Sequence, residues 1–158
     1  MAPQPVCDPV IDARSMVLRI ADVTGVSGAL ALARDADRHG TASLVVDPQP
    51  GAGVDPFVVA AAIAVATAFT RIGVVVGLDT WRPYPLARRL AQLDQLSAGR
   101  IAWSPADPDP RRRIEAIGVV TSLLTSRAPD SVPAGPQGAV PVFVGADRPD
   151  RCRVEDLW

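Results

Sequence analysis

Three consecutive arginines, Arg111, Arg112 and Arg113, form the strongest local cluster of charge in the chain. They follow Asp109 and Pro110, a pair that is typical of a helix N-terminus. Cations at this end oppose the helix dipole by roughly 0.3 kcal/mol or more each. Two interpretations stay open. The arginines and the free amides of the helix end are suited to hold a phosphate, or the run is a solvated surface balanced by nearby acidic residues.

A second group of polar residues follows the predicted strands. Asp47, Thr80 and Ser104 each come at or shortly after the end of an apolar run. A hydroxyl can hydrogen-bond a carbonyl or a phosphate, whereas an aspartate before proline can also simply shape a turn. Asp22 and Asp147 follow two further runs. If the strands are parallel, their carboxyl ends meet at one edge of the sheet, where a ligand site is expected.

Five short apolar segments are predicted to be the strands that position these residues: 16–20, 42–46, 71–77, 100–104 and 140–144. Helical patterns alternate with them, at 29–39, 56–69, 85–98 and 110–124. The helix at 56–69 is apolar on every side, which predicts burial in a core or in a subunit interface. Alternating strands and helices favour parallel pairing, in either an open doubly wound sheet or part of a (β/α)8 barrel.

Composition narrows the range of partners. The 158 residues carry 16 basic and 17 acidic side chains, a balance that gives no electrostatic reason to expect nucleic acid or an anionic membrane. The longest apolar run is too short to cross a bilayer and no export signal is evident, so a cytoplasmic protein is expected. One histidine, His39, and two distant cysteines, Cys7 and Cys152, predict no metal site.

The segment LDQLSAGR at residues 93–100 resembles the luciferase-like family of flavin-dependent monooxygenases, in which LDxLSxGR leads into the fourth barrel strand. Three upstream segments resemble the family's EP…AAxTxRIxLG block: 55–57, 64–67 and 71–73. Residues 136–145 resemble its PQGxPvivqAG, and RIAW at 100–103 is closest to the nitrilotriacetate monooxygenase branch. The motif also suits capping and packing at a helix end, so it indicates the fold more directly than the chemistry.

The resemblance implies an α/β domain at residues 16–146, between tails at 1–15 and 147–158. This domain would be a partial (β/α)8 (TIM-type) barrel of about five parallel strands and four helices. Its site would bind reduced FMN, or alternatively the deazaflavin F420, and oxidise a small organic substrate with O2. The implied catalytic residues are unknown. The cofactor-binding candidates are Asp47, Thr80, Trp103, Ser104, Arg111 and Arg112.

The resemblance also implies partners. A complete barrel takes about 250 residues, so five strands leave an open edge to be covered. Family members commonly pair through the helices after strands two and three, which predicts a homodimer through helices 56–69 and 85–98, and reduced flavin would come from a separate reductase. Two positions depart from the resembling branch, because Ser104 replaces an asparagine and Asp147 replaces a phosphate-binding serine. A non-catalytic, dimeric binding or assembly module is the alternative function.

Overall fold

The computed structural model describes residues 15–19, 25–41, 43–47, 53–126 and 132–143. Four strands alternate with four helices: β1 (Ser15–Arg19), α1 (Gly25–Arg38), β2 (Ser43–Asp47), α2 (Pro56–Ala66), β3 (Arg71–Gly77), α3 (Pro83–Leu96), β4 (Ile101–Ala106) and α4 (Pro110–Thr125). Neighbouring strands are parallel and follow the order β1-β2-β3-β4. The predicted alternation of strands and helices is confirmed over this part of the chain.

The four helices share one core with one face of the sheet. Buried residues of α1, α2, α3 and α4 form a single cluster with alternate residues of β2, β3 and β4, such as Val46, Val74 and Trp103. In a doubly wound sheet the helices would cover both faces and the strand order would reverse. Sequential order with helices on one face is instead the arrangement of a barrel segment, so the structure decides between the two predicted architectures.

The predicted fifth strand at 140–144 is reduced, within the described residues, to one parallel bridge between Val142 and Trp103. The N–H of Trp103 donates to Pro141 O at 3.0 Å, and the N–H of Phe143 donates to Trp103 O at 2.9 Å. Proline has no N–H to contribute to a ladder, which limits pairing on its side of the bridge. The segment nevertheless lies beside β4 as a fifth, very short member of the sheet.

Two of the predicted helix starts are confirmed by their caps. Asp55 accepts a hydrogen bond from Phe57 N at 2.8 Å, and Asp109 accepts one from Arg111 N at 2.9 Å.

Other helix boundaries differ from the prediction. Helix α1 begins at Gly25 rather than at 29, and α3 spans Pro83–Leu96 rather than 85–98. The end of α3 is early because Ala98 and Gly99 have φ values of 53° and 82°, which no right-handed helix accepts.

Helix α2 ends at Ala66, three residues before its predicted end, because a distant carboxylate captures the amides that follow. Asp37, in the last turn of α1, accepts hydrogen bonds from the N–H groups of Ala68, Phe69 and Thr70 at 2.9, 3.0 and 2.8 Å. It also accepts one from the Thr70 hydroxyl at 2.8 Å. These amides are therefore satisfied without continuing the helix.

The guanidinium of Arg100 binds oxygen atoms of the same loop, and all five of its N–H donors are used. Its Nε donates to Ser97 O at 2.8 Å. Its Nη1 donates to Thr67 Oγ1 at 3.0 Å and Thr70 O at 2.7 Å, and its Nη2 donates to Ala64 O at 2.8 Å and Thr67 O at 3.0 Å. Arg100 thus satisfies carbonyl groups that the end of α2 leaves without intrahelical partners.

Charge and hydrogen bonding reinforce each other in this loop. Burial raises the pKa of Asp37, but hydrogen bonds from Ala68, Thr70 and Phe69 outweigh that effect and lower the pKa from 3.8 to about 2. Burial lowers the pKa of Arg100, and the negative charge of Asp37 opposes that change. Because the folded pKa of Asp37 is depressed, its stabilisation is present above roughly pH 4 and is lost as the pH falls through about 2.

The remaining polar residues of the 93–100 motif tie residues 132–143 to the end of α3. Buried Asp94 accepts hydrogen bonds from Gln137 N at 3.0 Å and Gln137 Nε2 at 2.6 Å. Gln137 Nε2 also donates to Ile101 O at 2.9 Å. A side chain at Gly135 would collide with the Asp94 carboxylate, so glycine is required there. The motif therefore caps, packs and cross-links, as its helix-end composition predicts.

The apolar helix α2 is predicted to be buried in a core or in a subunit interface, and within the single chain only one side of it is buried. Phe57, Ala60 and Ile63 face the core, but Val58 and Val65 on the opposite side are exposed. The outer side of α2 is therefore an apolar surface.

Helix α2 spans only 11 residues. None of the helices in the described ranges is long and apolar enough to cross a membrane.

Replacing Arg100 with methionine is expected to lower the free energy of unfolding by about 3 kcal/mol, because carbonyl groups at the end of α2 lose a charged donor. Methionine retains an unbranched apolar stem. Arg88→Met, on the exposed side of α3, is the matched control and should cost less than about 0.5 kcal/mol. Urea unfolding followed by circular dichroism measures both values, and equal losses in the two variants would contradict the role of Arg100.

Candidate functional site

The face of the sheet turned away from the helices is called the inner face here. Side chains alternate along a strand, so residues between those of the main core point to this face. Val45, Val75 and Phe143 form a separate buried cluster there, with Ala102 packed against it. In a complete barrel this face lines the interior, and ligands bind where it reaches the carboxyl ends of the strands.

Phe143 fills the inner face at mid-height of the strands. Its ring lies over Gly73, where an ideal Cβ would stand 2.9 Å from Phe143 Cε1 and 3.3 Å from Val45 Cγ2. No side chain fits into that space without moving the ring. Phe143 therefore forms an apolar floor below the carboxyl ends of the strands.

Above this floor the inner face carries very small side chains. Gly77, the last residue of β3, pairs in register with Ala106, the last residue of β4. The Thr80 hydroxyl lies 3.9 Å from the position of an ideal Cβ at Gly77, so this hydroxyl lies beside the inner face. Because Gly77 has only a hydrogen atom and Ala106 only a methyl group as side chain, a flat ligand can approach the strand backbone closely here.

Ser104 supplies a polar group at the edge of this surface. It pairs in register with Val75 and is only 5 % exposed. Its hydroxyl can donate a hydrogen bond to a ligand or accept one from it. Ser104 is therefore a candidate site residue at this edge.

Asp47 ends β2, one position beyond the Val46–Val74 pair. It is half-buried and, by alternation from Val45, belongs to the inner face. The structure therefore brings three predicted site residues, Asp47, Thr80 and Ser104, to the same end of the same face.

Trp103 is not on that face. Its indole is fully buried in the core between the sheet and the helices, because it alternates with Ser104 along β4. Its Nε1–H has no acceptor within the described ranges. The structure thus separates Trp103 from the other candidates and gives it a packing role.

The arginine run divides into residues with different surroundings. Arg112 Nη1 lies 2.9 Å from Oδ2 of buried Asp107. The two groups form an ion pair, but their geometry is not that of a hydrogen bond. Arg112 Nη2 donates a hydrogen bond to Asp79 Oδ1 at 3.2 Å. Arg113 donates to the carbonyl of Asp107. The side chain of Arg111 is exposed and makes no ion pair or hydrogen bond with the described part of the chain. Arg112 therefore links the β3–α3 and β4–α4 loops, and Arg111 retains a free cation.

Sequence reasoning missed the small residues and the loop link. Gly77 and Ala106 can be found from the strand pattern only once the pairing register is known. Asp79 and Arg112 are 33 positions apart, and no local pattern joins them. Two predicted polar residues, Asp22 and Asp147, lie outside the described residues.

The parallel strands in sequential order, with the helices on one face, define part of a (β/α)8-type barrel. Residues 13–104 match the family model of the luciferase-like monooxygenases. The chain belongs to that family, which confirms the resemblance given by the 93–100 motif and its upstream blocks.

Known relatives are longer than this chain. The dimethyl-sulfide monooxygenase of Hyphomicrobium sulfonivorans is 40% identical over 93 residues, which are 55% of this chain and 17% of that protein. The monooxygenase RslO1 from Streptomyces bottropensis superposes with a TM-score of 0.66 at 19% identity, over 81% of this chain and 52% of its own. The oxygenating constituent of 3,6-diketocamphane monooxygenase from Pseudomonas putida was solved in complex with FMN. It superposes with a TM-score of 0.62 at 14% identity, over 74% of this chain and 45% of its own. At these identities the two solved structures show the fold, and the chain spans about half or less of each relative.

Replacing Gly73 with valine is expected to lower the free energy of unfolding by about 1–3 kcal/mol, because the new side chain collides with Phe143. Gly118→Ala is the opposite case. Gly118 lies inside α4 with open space around an added Cβ, so alanine should stabilise the protein by about 0.5–1 kcal/mol. Urea unfolding of both variants checks the pair, and an unchanged stability of Gly73→Val would contradict the placement of Phe143.

Proposed function

We propose that this chain functions as a luciferase-like, flavin-dependent monooxygenase or oxidoreductase that acts on a small organic substrate with reduced flavin and O2. The observation that supports this proposal most is that Asp47, Thr80 and Ser104 lie with the small residues Gly77 and Ala106 at the carboxyl end of the inner face. Family membership supports the proposal as well, since one solved relative is in complex with FMN.

The residues of the inner face fit the proposed FMN. A flavin ring is flat and carries carbonyl and nitrogen acceptors along one edge, which suits the hydroxyls of Ser104 and Thr80. Gly77 and Ala106 leave room for close approach, and the exposed Arg111 at the N-terminus of α4 suits a phosphate. Asp47 is an acceptor for ribityl hydroxyls rather than for phosphate. The deazaflavin F420 shares the ring and is the alternative cofactor.

The role of the protein in this proposal is to bind, orient and exclude water. Reduced flavin would supply the electrons for O2 chemistry. Ser104 and Thr80 would orient the ring edge, and the apolar floor of Phe143 and Val75 would limit access of water from below. Arg112, already paired with Asp79 and Asp107, would hold the two loops in place beside the site.

Replacing Ser104 with alanine is expected to weaken FMN binding about fivefold, which corresponds to the loss of one hydrogen bond of about 1 kcal/mol. Ser122→Ala, on the exposed side of α4, is the matched control and should bind FMN like the unchanged protein. Quenching of flavin fluorescence measures the affinity for oxidised FMN, and absorbance after anaerobic reduction measures it for reduced FMN. The same titration with F420 tests the alternative. Absence of FMN and F420 binding at about 100 μM would contradict the flavin function.

We further propose a homodimer that pairs through helices 56–69 and 85–98, with a separate reductase supplying the reduced flavin. Support comes from the exposed apolar residues Val58 and Val65 on α2 and Leu96 on α3. The same surface favours the second candidate function, a dimeric binding or assembly module without catalysis. A dimer that binds no flavin would favour this alternative.

Two finer assignments belong to the same proposal. The RIAW segment at 100–103 supports a place near the nitrilotriacetate monooxygenase branch. A cytoplasmic location agrees with the need for a reductase that supplies reduced flavin. Detection of the protein in a fractionated native cell would test the location.

A further inference from the structure

The turn that carries Thr80 is attached to a neighbouring helix by the tryptophan that follows it. Trp81 lies in the connection between β3 and α3, and its indole packs against the main core. The ring meets Phe57, at the start of α2, edge to face, with 5.1 Å between the ring centroids and 67° between the ring planes. Because Phe57 is itself buried, this aromatic pair fixes the turn to the first turn of α2.

Arg89 of α3 covers both rings of this pair. Its Cζ atom lies 5.2 Å from the centroid of the Trp81 ring and 6.0 Å from that of Phe57, a range in which a guanidinium is attracted to the face of an aromatic ring. Its Nη1 lies 3.6 Å from Oδ2 of Asp55, and Oδ1 of the same carboxylate caps α2. One cation therefore holds the indole, the phenyl ring and the helix cap together.

Thr80 has little support of its own. It is exposed, and its N–H donates to Gly77 O at 3.2 Å within the turn. Both of its neighbours are anchored, since Asp79 pairs with Arg112 and Trp81 packs against its aromatic partner. The ion pair joins two exposed side chains and adds little rigidity, so the packed indole is the stronger attachment. The Thr80 hydroxyl is therefore placed by its neighbours rather than by burial of its own side chain.

We propose that Trp81 and Arg89 are positioning residues that fix the Thr80 hydroxyl at the candidate site before a ligand arrives. A hydrogen-bonding group that is already in place loses little conformational entropy on binding, so loosening the turn weakens the ligand without removing a contact. The ligand is the polar edge of the flavin ring, and the inference rests on the flavin function proposed above. Trp81 and Arg89 act on it through Thr80.

A double-mutant cycle on FMN affinity, measured by quenching of flavin fluorescence, tests this role. Thr80→Ala is expected to weaken binding about fivefold through the loss of one hydrogen bond, and Trp81→Leu should weaken it about as much. The double variant should bind no more weakly than Thr80→Ala alone, because the indole acts only through the hydroxyl. Trp81→Phe keeps an aromatic ring against Arg89 and should restore most of the affinity. A loss of about 25-fold in the double variant would show that Trp81 acts independently of Thr80 and would overturn the inference.

The contribution of the cation has its own variant. Arg89→Met keeps an unbranched stem and removes the charge over the rings, and it is expected to weaken FMN binding about threefold. Arg88→Met, at the preceding and exposed position of α3, is the matched control and should leave the affinity unchanged. Circular dichroism should show that both variants are folded. Equal affinities in the two variants would overturn the role of Arg89.

A measurement without flavin separates this inference from the flavin function. In the unchanged protein the ¹⁵N order parameter of the Thr80 amide should be close to about 0.85, and in Trp81→Leu it should fall below about 0.6. The amide of Ile72 in β3 should stay rigid in both proteins. An unchanged Thr80 order parameter in Trp81→Leu would overturn the inference. A protein that binds no FMN but loosens at Thr80 in this variant would contradict the flavin function and would still support the attachment of the turn by Trp81.

Discussion

The contact that joins Asp37, the loop at 68–70 and Arg100 is the constraint on which the rest of the described fold depends. One carboxylate accepts three backbone N–H groups and one hydroxyl, and one guanidinium uses all five of its donors. Together they end α2, start β3 and fix the entry into β4. Because charged groups form strong hydrogen bonds and leave severe penalties when unpaired, few substitutions can replace either residue.

This constraint lies at the amino-terminal ends of the strands, opposite the candidate site. The 93–100 motif that marks the family supplies Asp94, Ser97 and Arg100, and each of them is used for capping or cross-linking. The candidate site at the other end consists of Asp47, Thr80, Ser104 and small side chains. In barrel proteins stability is typically provided at the amino-terminal ends of the strands and chemistry at their carboxyl ends.

Local patterns predicted the order of elements, because apolar runs, Asp–Pro caps and glycine stops act over a few residues. They failed where a distant group decides the outcome. Asp37 ends α2 from 31 positions away, and Arg112 joins a loop 33 positions away. The side of the sheet on which Trp103 and Ser104 lie also depends on pairing register, so the sequence named both as site residues while only Ser104 reaches the inner face. For α2, composition predicted burial without showing which sides have neighbours within the chain, and burial of its outer side in a subunit interface stays a prediction.

The titration of Asp37 in the folded protein tests the central constraint most directly. The amide proton shifts of Ala68, Phe69 and Thr70 should follow the ionisation of the carboxylate that binds them, and NMR spectra recorded at decreasing pH give the midpoint. With a pKa of about 2, these shifts should stay constant down to roughly pH 3. A midpoint near 3.8, the ordinary value for a solvated aspartate, would contradict a carboxylate held by the loop.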